Sequence, residues 1–266
     1  MKDTDTELMR RIAEALERIA PEGAAAADPA AGKAFLWDGG TLQAAALGNV
    51  LPIDRFAGVD AQRDALIRNI GAHARGDASH DMLLWGARGM GKSALIRSVA
   101  VAQGVALVQA SGDALHSLPA LFAKLQGVDR PFILYVDDLA FAAADPSVRV
   151  LRSLLDGGIA ERPANVRLAV TSNHRHLVER EATDSRHARD AADDQLALVD
   201  RFGMVLGFHV PDQDSYLEMV RRHLAAEGLD FVAEEATAFA LARGGRSGRT
   251  AWHFRTQMLV DRAQRS

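Results

Sequence analysis

Hydrophobic positions along the 266-residue chain follow two alternating rhythms. Short apolar runs at Met82–Trp85, Val105–Gln109, Phe132–Val136, Val166–Thr171 and Met204–Phe208 have the length and β-branched or aromatic content of buried strands. Between them, helical patterns are expected at about 61–73, from the Ala94–Ala100 stretch to near Gly104, at about 113–125 and at about 147–155. Such alternation predicts a parallel sheet covered on both faces. Beyond Pro211 the strand signal stops, and helical patterns alone remain near 214–227, 233–242 and 247–263. The asymmetry predicts an α/β domain over 35–211 followed by a small helical domain over 212–266. Upstream, residues 3–20 read as an amphipathic helix: Thr4 and Glu7 have capping-box spacing, Leu8, Ile12, Ala15, Leu16 and Ile19 share a face, and Pro21 ends it. Folding back onto its own domain is the simpler reading of that helix, and docking a partner is the alternative. Residues 21–32 form a small-residue linker, and order resumes at Phe35–Trp37, so 1–34 is taken as helix plus linker. Residues 51–60 read as a loop with apolar punctuation.

Where the first apolar run ends, Gly86, Gly91, Lys92 and Ser93 meet the spacing G-x-x-x-x-G-K-[ST]. A coincidental glycine-rich turn is the competing explanation, but strand before and helix after are the context the motif requires. The stretch Gly86-Ala87-Arg88-Gly89-Met90-Gly91-Lys92-Ser93-Ala94 is therefore assigned to binding a nucleotide triphosphate. Backbone amides converging at a helix N-terminus hold phosphate charge, and glycines allow the close approach. Lys92 would reach the β- and γ-phosphates, and the Ser93 hydroxyl would ligate Mg²⁺.

Four later features acquire meaning from that loop. Phe132–Val136 runs into Asp137-Asp138 at what would be the ligand-binding edge of a parallel sheet. Alone, paired acids after a strand make a cap or a turn; with the phosphate loop, Asp137 would hold Mg²⁺ and Asp138 would accept the proton of an attacking water. The next strand leads to Asn173, an uncharged amide able to bond both a γ-phosphate and a water. Arg201 precedes the last strand, and Arg246 and Arg249 stand where the final helix begins, with Ser247 as its cap. Such arginines are commonly surface ion pairs, yet a guanidinium also stabilises a transferring phosphoryl group, and Arg249 is preferred over Arg246 because it lies inside the helix.

In this order the five features resemble the AAA+ ATPases, matching Walker A, Walker B, sensor 1, arginine finger and sensor 2. The stretches LLWGARGMGKS, FILYVDDL, LLDGGIAERPANVRLAVTSNHRHL, LVDRFG and RSGR are, within that superfamily, similar to a bacterial family known as domain of unknown function 815. The resemblance runs from about Phe35 to the C-terminus. It implies a P-loop core with a five-stranded parallel sheet of order 5-1-4-3-2 between helices, a helical lid, ATP and Mg²⁺ as ligands, and Arg201 acting on a neighbouring subunit of a ring or open ring, a hexamer among them. Asp138 departs from the commonest pattern, which has glutamate there; replication-initiator-like members also carry the Asp-Asp pair. The function expected is an Mg²⁺-dependent ATPase that remodels an unidentified protein or nucleic-acid partner. A slow ATP-binding switch or scaffold is the alternative, and a small-molecule phosphotransferase is weaker. Ser111–His116 lacks the aromatic-hydrophobic-glycine loop of protein-threading relatives.

Composition narrows this picture further. Without cysteine the chain forms no disulfide or thiolate metal site, and no run approaches the roughly 18 apolar residues of a membrane span, so a cytoplasmic protein is expected. A net charge of −4 argues against a dedicated nucleic-acid-binding domain. His174, His176 and His187, with Asp184, Asp190, Asp193 and Asp194, are too loosely spaced to favour a metal site; an insertion that contacts a partner is the preferred reading.

Overall fold

Four largely buried strands, Met82–Gly86, Ala106–Ala110, Phe132–Val136 and Val166–Thr171, set the centre of the fold. A computed structural model describes residues 7, 10–11, 26–139, 146–157, 162–173 and 196–265. The expected helix over 3–20 and the histidine- and aspartate-rich 174–195 fall mostly or wholly outside them. In chain order the elements are β1 (Ala34–Trp37), β2 (Leu42–Ala44), α1 (Asp60–Ala74), β3 (Met82–Gly86), α2 (Lys92–Ala102), β4 (Ala106–Ala110), α3 (Leu118–Leu125), β5 (Phe132–Val136), α4 (Pro146–Leu155), β6 (Val166–Thr171) and β7 (Met204–Phe208). Three helices follow: α5 (Gln213–Ala225), α6 (Ala233–Ala242) and α7 (Gly248–Arg265).

The sheet has seven strands in the order β2-β1-β4-β5-β6-β3-β7, which corrects the expected five. Only the β1–β2 pair is antiparallel. The added pair extends the sheet beyond β4, so the order of the whole sheet differs from the expected one; counted from β3, the remaining five strands stand 5-1-4-3-2. The Asp38 carboxylate closes the β1–β2 turn by accepting from the amides of Gly40 and Thr41 at 3.0 and 2.8 Å. Four- and three-residue strands beside an alanine- and glycine-rich stretch carry too short a pattern to be read from sequence. The expected helix over 113–125 is divided into a 3₁₀ turn, Gly112–Ser117, and α3. Pro119 lies in the first turn of α3, where its missing amide hydrogen is tolerated, and one continuous helix through it would lose a hydrogen bond.

The parallel register brings the C-terminal strand ends level. Val136 of β5 faces Val170 of β6, and Gly86 of β3 faces Phe208 of β7. One sheet face packs on α1, α2 and the C-terminal helices through Leu66, Leu95, Tyr135 and Tyr216, and the other on α3 and α4 through Leu121, Leu134 and Leu151. Residues 51–59, expected as loop, contain a 3₁₀ turn at Ile53–Arg55 and join the two halves of the first layer. The Ser98 hydroxyl of α2 donates to the Leu51 carbonyl at 2.6 Å, and Arg222 of α5 donates to the Phe56 carbonyl at 3.0 Å.

Ser98 is 3% exposed, so Ser98→Ala leaves the Leu51 carbonyl without its partner. A cost of about 1 kcal/mol is expected, seen as a Tm lower by about 2–4 °C in thermal unfolding. An unchanged Tm would mean that this contact does not hold the segment.

Candidate functional site

The loop between β3 and α2 turns where only glycine fits. Gly86 has φ 118°, and a Cβ there would lie 2.1 Å from the Phe208 carbonyl oxygen. The Ala87 amide donates to that same oxygen at 2.8 Å, so β7 fixes where the loop departs. Gly91, at φ 86°, is the left-handed residue that starts α2 and brings the helix N-terminus to the loop.

Lys92 is the first residue of α2 and only 5% exposed. Its ammonium donates to the carbonyls of Gly86 and Ala87 at 2.8 and 2.9 Å and to Asn173 Oδ1 at 2.9 Å. Burial lowers its pKa to about 8, against the opposing pull of Asp138 and Asp137. Asn173 passes the contact on, for its Nδ2 donates to Asp138 Oδ1. Arg88 reaches the other oxygen of Asp138 at 3.7 Å.

Asp137 is held by hydroxyls. Ser93 donates to its Oδ1 at 2.8 Å and Thr171 at 2.6 Å. Burial would raise this carboxyl, but the hydroxyls of Thr171, Tyr135 and Ser93 and the charge of Arg97 hold it below the ordinary carboxylate range. The Tyr135 hydroxyl faces Asp137 and Ser93 yet completes no hydrogen bond of normal geometry. Burial first, and then the Asp137 carboxylate, push this phenol well above its usual pKa. Asp138 has φ 53°, the one positive φ at a non-glycine position among the described residues. Its amide donates to Thr171 Oγ1 at 2.9 Å. A hydroxyl and a carboxylate side by side at an open cleft make an oxygen donor set of the kind that suits Mg²⁺, and the amides beside them suit phosphate.

Helix α7 closes the loop from above. The Arg249 amide donates to the Gly89 carbonyl at 2.8 Å, and a Cβ on Gly248 would come within 3.1 Å of the same oxygen. Ser247 accepts from the Thr250 amide at 3.0 Å, which caps the helix. Arg249 lines the cleft, whereas Arg246 does not and its charge acts on Asp212. Arg201 is also absent from the cleft lining: it pairs with Asp156 and donates to the Ala197 carbonyl.

The cleft, of about 980 Å³, extends well past the glycine loop. Its far end is built from residues that sequence reasoning passed over: Pro52 and Phe56 from the 51–59 segment, Met219, His223 and Glu227, and Trp252 of α7. His223 is 4% exposed and meets Trp252 edge-on at 5.5 Å. The available signal was Met219, His223 and Glu227 repeating every four residues, which an amphipathic helix explains equally well. Among the described residues no group of three or more His, Cys, Asp or Glu forms a metal cluster, and the histidines at 174, 176 and 187 lie outside them.

The seven-stranded, mostly parallel sheet with its glycine loop matches the fold of RuvB. The chain belongs to the family described as "Protein of unknown function (DUF815)", whose model matches residues 30–262. The Holliday junction branch migration motor RuvB of Thermotoga maritima is similar in structure, with TM-score 0.54 and 20% identity, over 79% of this chain and 64% of that one. A single-substitution variant of the same motor gives TM-score 0.55 and 18% identity over the same shares. This chain thus spans less than two thirds of the length of those motors, and at such identity the likeness is one of fold. No curated protein matches in sequence. Among the described residues no helix is long and apolar enough to cross a membrane.

His223 provides a measurable handle on the far end of the cleft. Burial, followed by the charges of Arg55 and Arg255, lowers its pKa from 6.5 to about 4. Between those values the unfolded chain binds a proton that the folded chain refuses, so stability falls as pH drops from 6.5 towards 4. Relative to His223→Leu, the wild type should lose roughly 3 kcal/mol between pH 7 and 4 in pH-dependent unfolding. Parallel pH profiles for the two proteins would show that this imidazole is not the buried group.

Proposed function

We propose that this protein is an Mg²⁺-dependent ATPase of the AAA+ type that couples ATP binding and hydrolysis to self-assembly and to remodelling of a protein or nucleic-acid partner. The observation that carries the reading is the convergence of Lys92, Ser93, Asp137, Asp138 and Asn173 on a glycine-rich helix start at one end of a nucleotide-sized cleft. Bound Mg²⁺-ATP supplies the phosphoanhydride to be cleaved. Lys92 and the amides of residues 86–94 hold phosphate charge, and Ser93 and Asp137 hold the cation. Asp138 takes the proton from the attacking water, Asn173 orients that water, and Arg249 brings positive charge from the helical lid. Residues 35–211 act as the nucleotide-binding domain and 212–266 as the lid, in a cytoplasmic protein. Branch migration is the activity of RuvB, and the substrate proposed for this chain is a macromolecule.

A second reading has its own observation. Asp138 is a short carboxylate already engaged by Asn173 and near Arg88, an arrangement that favours a slow ATP-dependent switch over a motor. Turnover measured with and without an added partner separates the two.

The decisive experiment compares Lys92→Ala and Asp138→Asn with the wild type in nucleotide-binding and phosphate-release assays. Lys92→Ala should weaken ATP binding by roughly 10- to 100-fold, with circular dichroism to check the fold, because the carbonyls of Gly86 and Ala87 also lose their donor. Asp138→Asn should keep binding and lose roughly 10²- to 10⁴-fold in hydrolysis. Asparagine tolerates the left-handed backbone at this position, so the loss reads on chemistry. Unimpaired ATP binding by Lys92→Ala would refute the phosphate-loop assignment.

Arg201, paired with Asp156 and outside its own cleft, is proposed to act on ATP held by a neighbouring subunit. An arginine supplied this way raises phosphoryl transfer by about 10³- to 10⁵-fold, so specific activity should climb with protein concentration. Arg201→Ala should bind ATP but not hydrolyse it, and mixing it with Lys92→Ala should restore part of the activity. Activity per subunit that is constant on dilution, with Arg201→Ala unimpaired, would leave no role in trans.

A further inference from the structure

Tyr135 is the buried polar group that the proposed chemistry leaves without a task. It lies on the same face of β5 as Ile133 and Asp137, two residues before the carboxylate, because side chains alternate along a strand. Its ring is 3% exposed and packs in the apolar cluster between the sheet and α2. The hydroxyl at the end of that ring faces the strand terminus, where Asp137 and Ser93 meet, and lies beside both without completing a hydrogen bond of normal geometry to either.

A phenylalanine would fill this space without burying an unpaired hydroxyl, which is a net cost to a folded chain. The hydroxyl therefore needs an explanation in another state of the site. Asp137 already receives Ser93 from α2 and Thr171 from β6, both on Oδ1. Among the described residues no hydrogen bond reaches its Oδ2. A carboxylate that holds a cation is commonly fixed by donors behind it, and the loss of one such donor weakens metal binding by about 10- to 100-fold. Two donors on one oxygen leave the rotation of the carboxylate plane open, and a third from beneath would close it.

We propose that Tyr135 is a positioning residue for the cation site: its hydroxyl donates to Asp137 when a divalent cation is held by Ser93 and Asp137. The inference rests on the assignment of those two residues to the cation, and it adds a state-dependent hydrogen bond that the resemblance to other ATPases does not supply. In the cation-free protein the hydroxyl is a liability, and in the loaded protein it becomes an anchor.

The test uses the full chain with Tyr135→Phe, and Tyr135→Met as a second variant that also lacks the hydroxyl. Thermal unfolding is measured in EDTA and again with Mg²⁺-ADP, and ADP affinity is titrated against Mg²⁺ concentration. In EDTA, Tyr135→Phe should melt at or above the wild-type temperature. With Mg²⁺-ADP its stabilisation should be smaller than that of the wild type, and the Mg²⁺ concentration giving half-maximal tightening of ADP should rise by about tenfold. ADP affinity in EDTA serves as the control and should match the wild type. An unaltered Mg²⁺ requirement in both variants, or an equal Tm loss in both states, would overturn the proposal and leave Tyr135 as packing alone. If the wild type itself shows no Mg²⁺-dependent tightening, the assignment of Ser93 and Asp137 falls, and this inference with it.

Discussion

A cation at 5% exposure must be surrounded by acceptors, and the edge of this sheet is arranged around the Lys92 ammonium. Two of its three acceptors, the carbonyls of Gly86 and Ala87, are available because the chain leaves β3 in a conformation open to glycine, pressed against the Phe208 carbonyl. The third, Asn173, lies just beyond β6, whose register beside β3 sets its height. Through Asn173 the charge is linked to Asp138, and through Thr171 Asp138 is linked to Asp137 and Ser93. One buried charge thus couples the ends of three strands and the start of a helix. A change in any of them moves the whole constellation.

The parts of this arrangement legible in the sequence are those fixed by strong local chemistry. Phe132–Val136, Val166–Thr171 and Met204–Phe208 have the bounds that their apolar runs mark; the first is buried throughout, as a central parallel strand requires. The glycine loop from Gly86 to Ser93 was readable as a turn between strand and helix because its motif couples residue type to spacing, and β3 and α2 flank it. What escaped was decided at long range. Strands β1 and β2 exist because β4 offers an edge, and nothing within four residues at Phe35 announces a neighbour seventy positions away. His223 and Trp252 meet only once α5 and α7 have packed, so the far end of the cleft has no local signature. The burial of Lys92 has no local signature either, because sequence records the charge but not the carbonyls that fold around it.

The helical C-terminal part is coupled to the glycine loop through backbone as well as side chains. The Arg249 amide holds the Gly89 carbonyl, and Gly248 and Gly89 approach so closely that a methyl group on either would crowd the other element. At the opposite end of the same helical unit, Arg222 ties α5 to the Phe56 carbonyl. Tyr216, Met219 and Phe254 share one apolar cluster with Leu95 and Tyr135. Interiors packed in this way shift between discrete arrangements more readily than they deform. Movement of the loop by a fraction of an ångström therefore has a route to α7, and movement of α7 has a route back.

Asp138 joins backbone geometry to chemistry. At φ 53° a side chain with a long or branched stem is disfavoured, while aspartate and asparagine are enriched several-fold in this region. The turn is held from β6, since Thr171 Oγ1 accepts the Asp138 amide and the Thr171 carbonyl accepts the Leu139 amide at 2.9 Å. The backbone thus stays within the bonding of the sheet edge while the carboxylate swings across to Asn173. A glutamate, the residue commonest at this point in the ATPases the chain resembles, would add a methylene and fit the left-handed conformation less well. The short acid suits the left-handed turn, and Asn173 and Arg88 meet its carboxylate where it comes to rest.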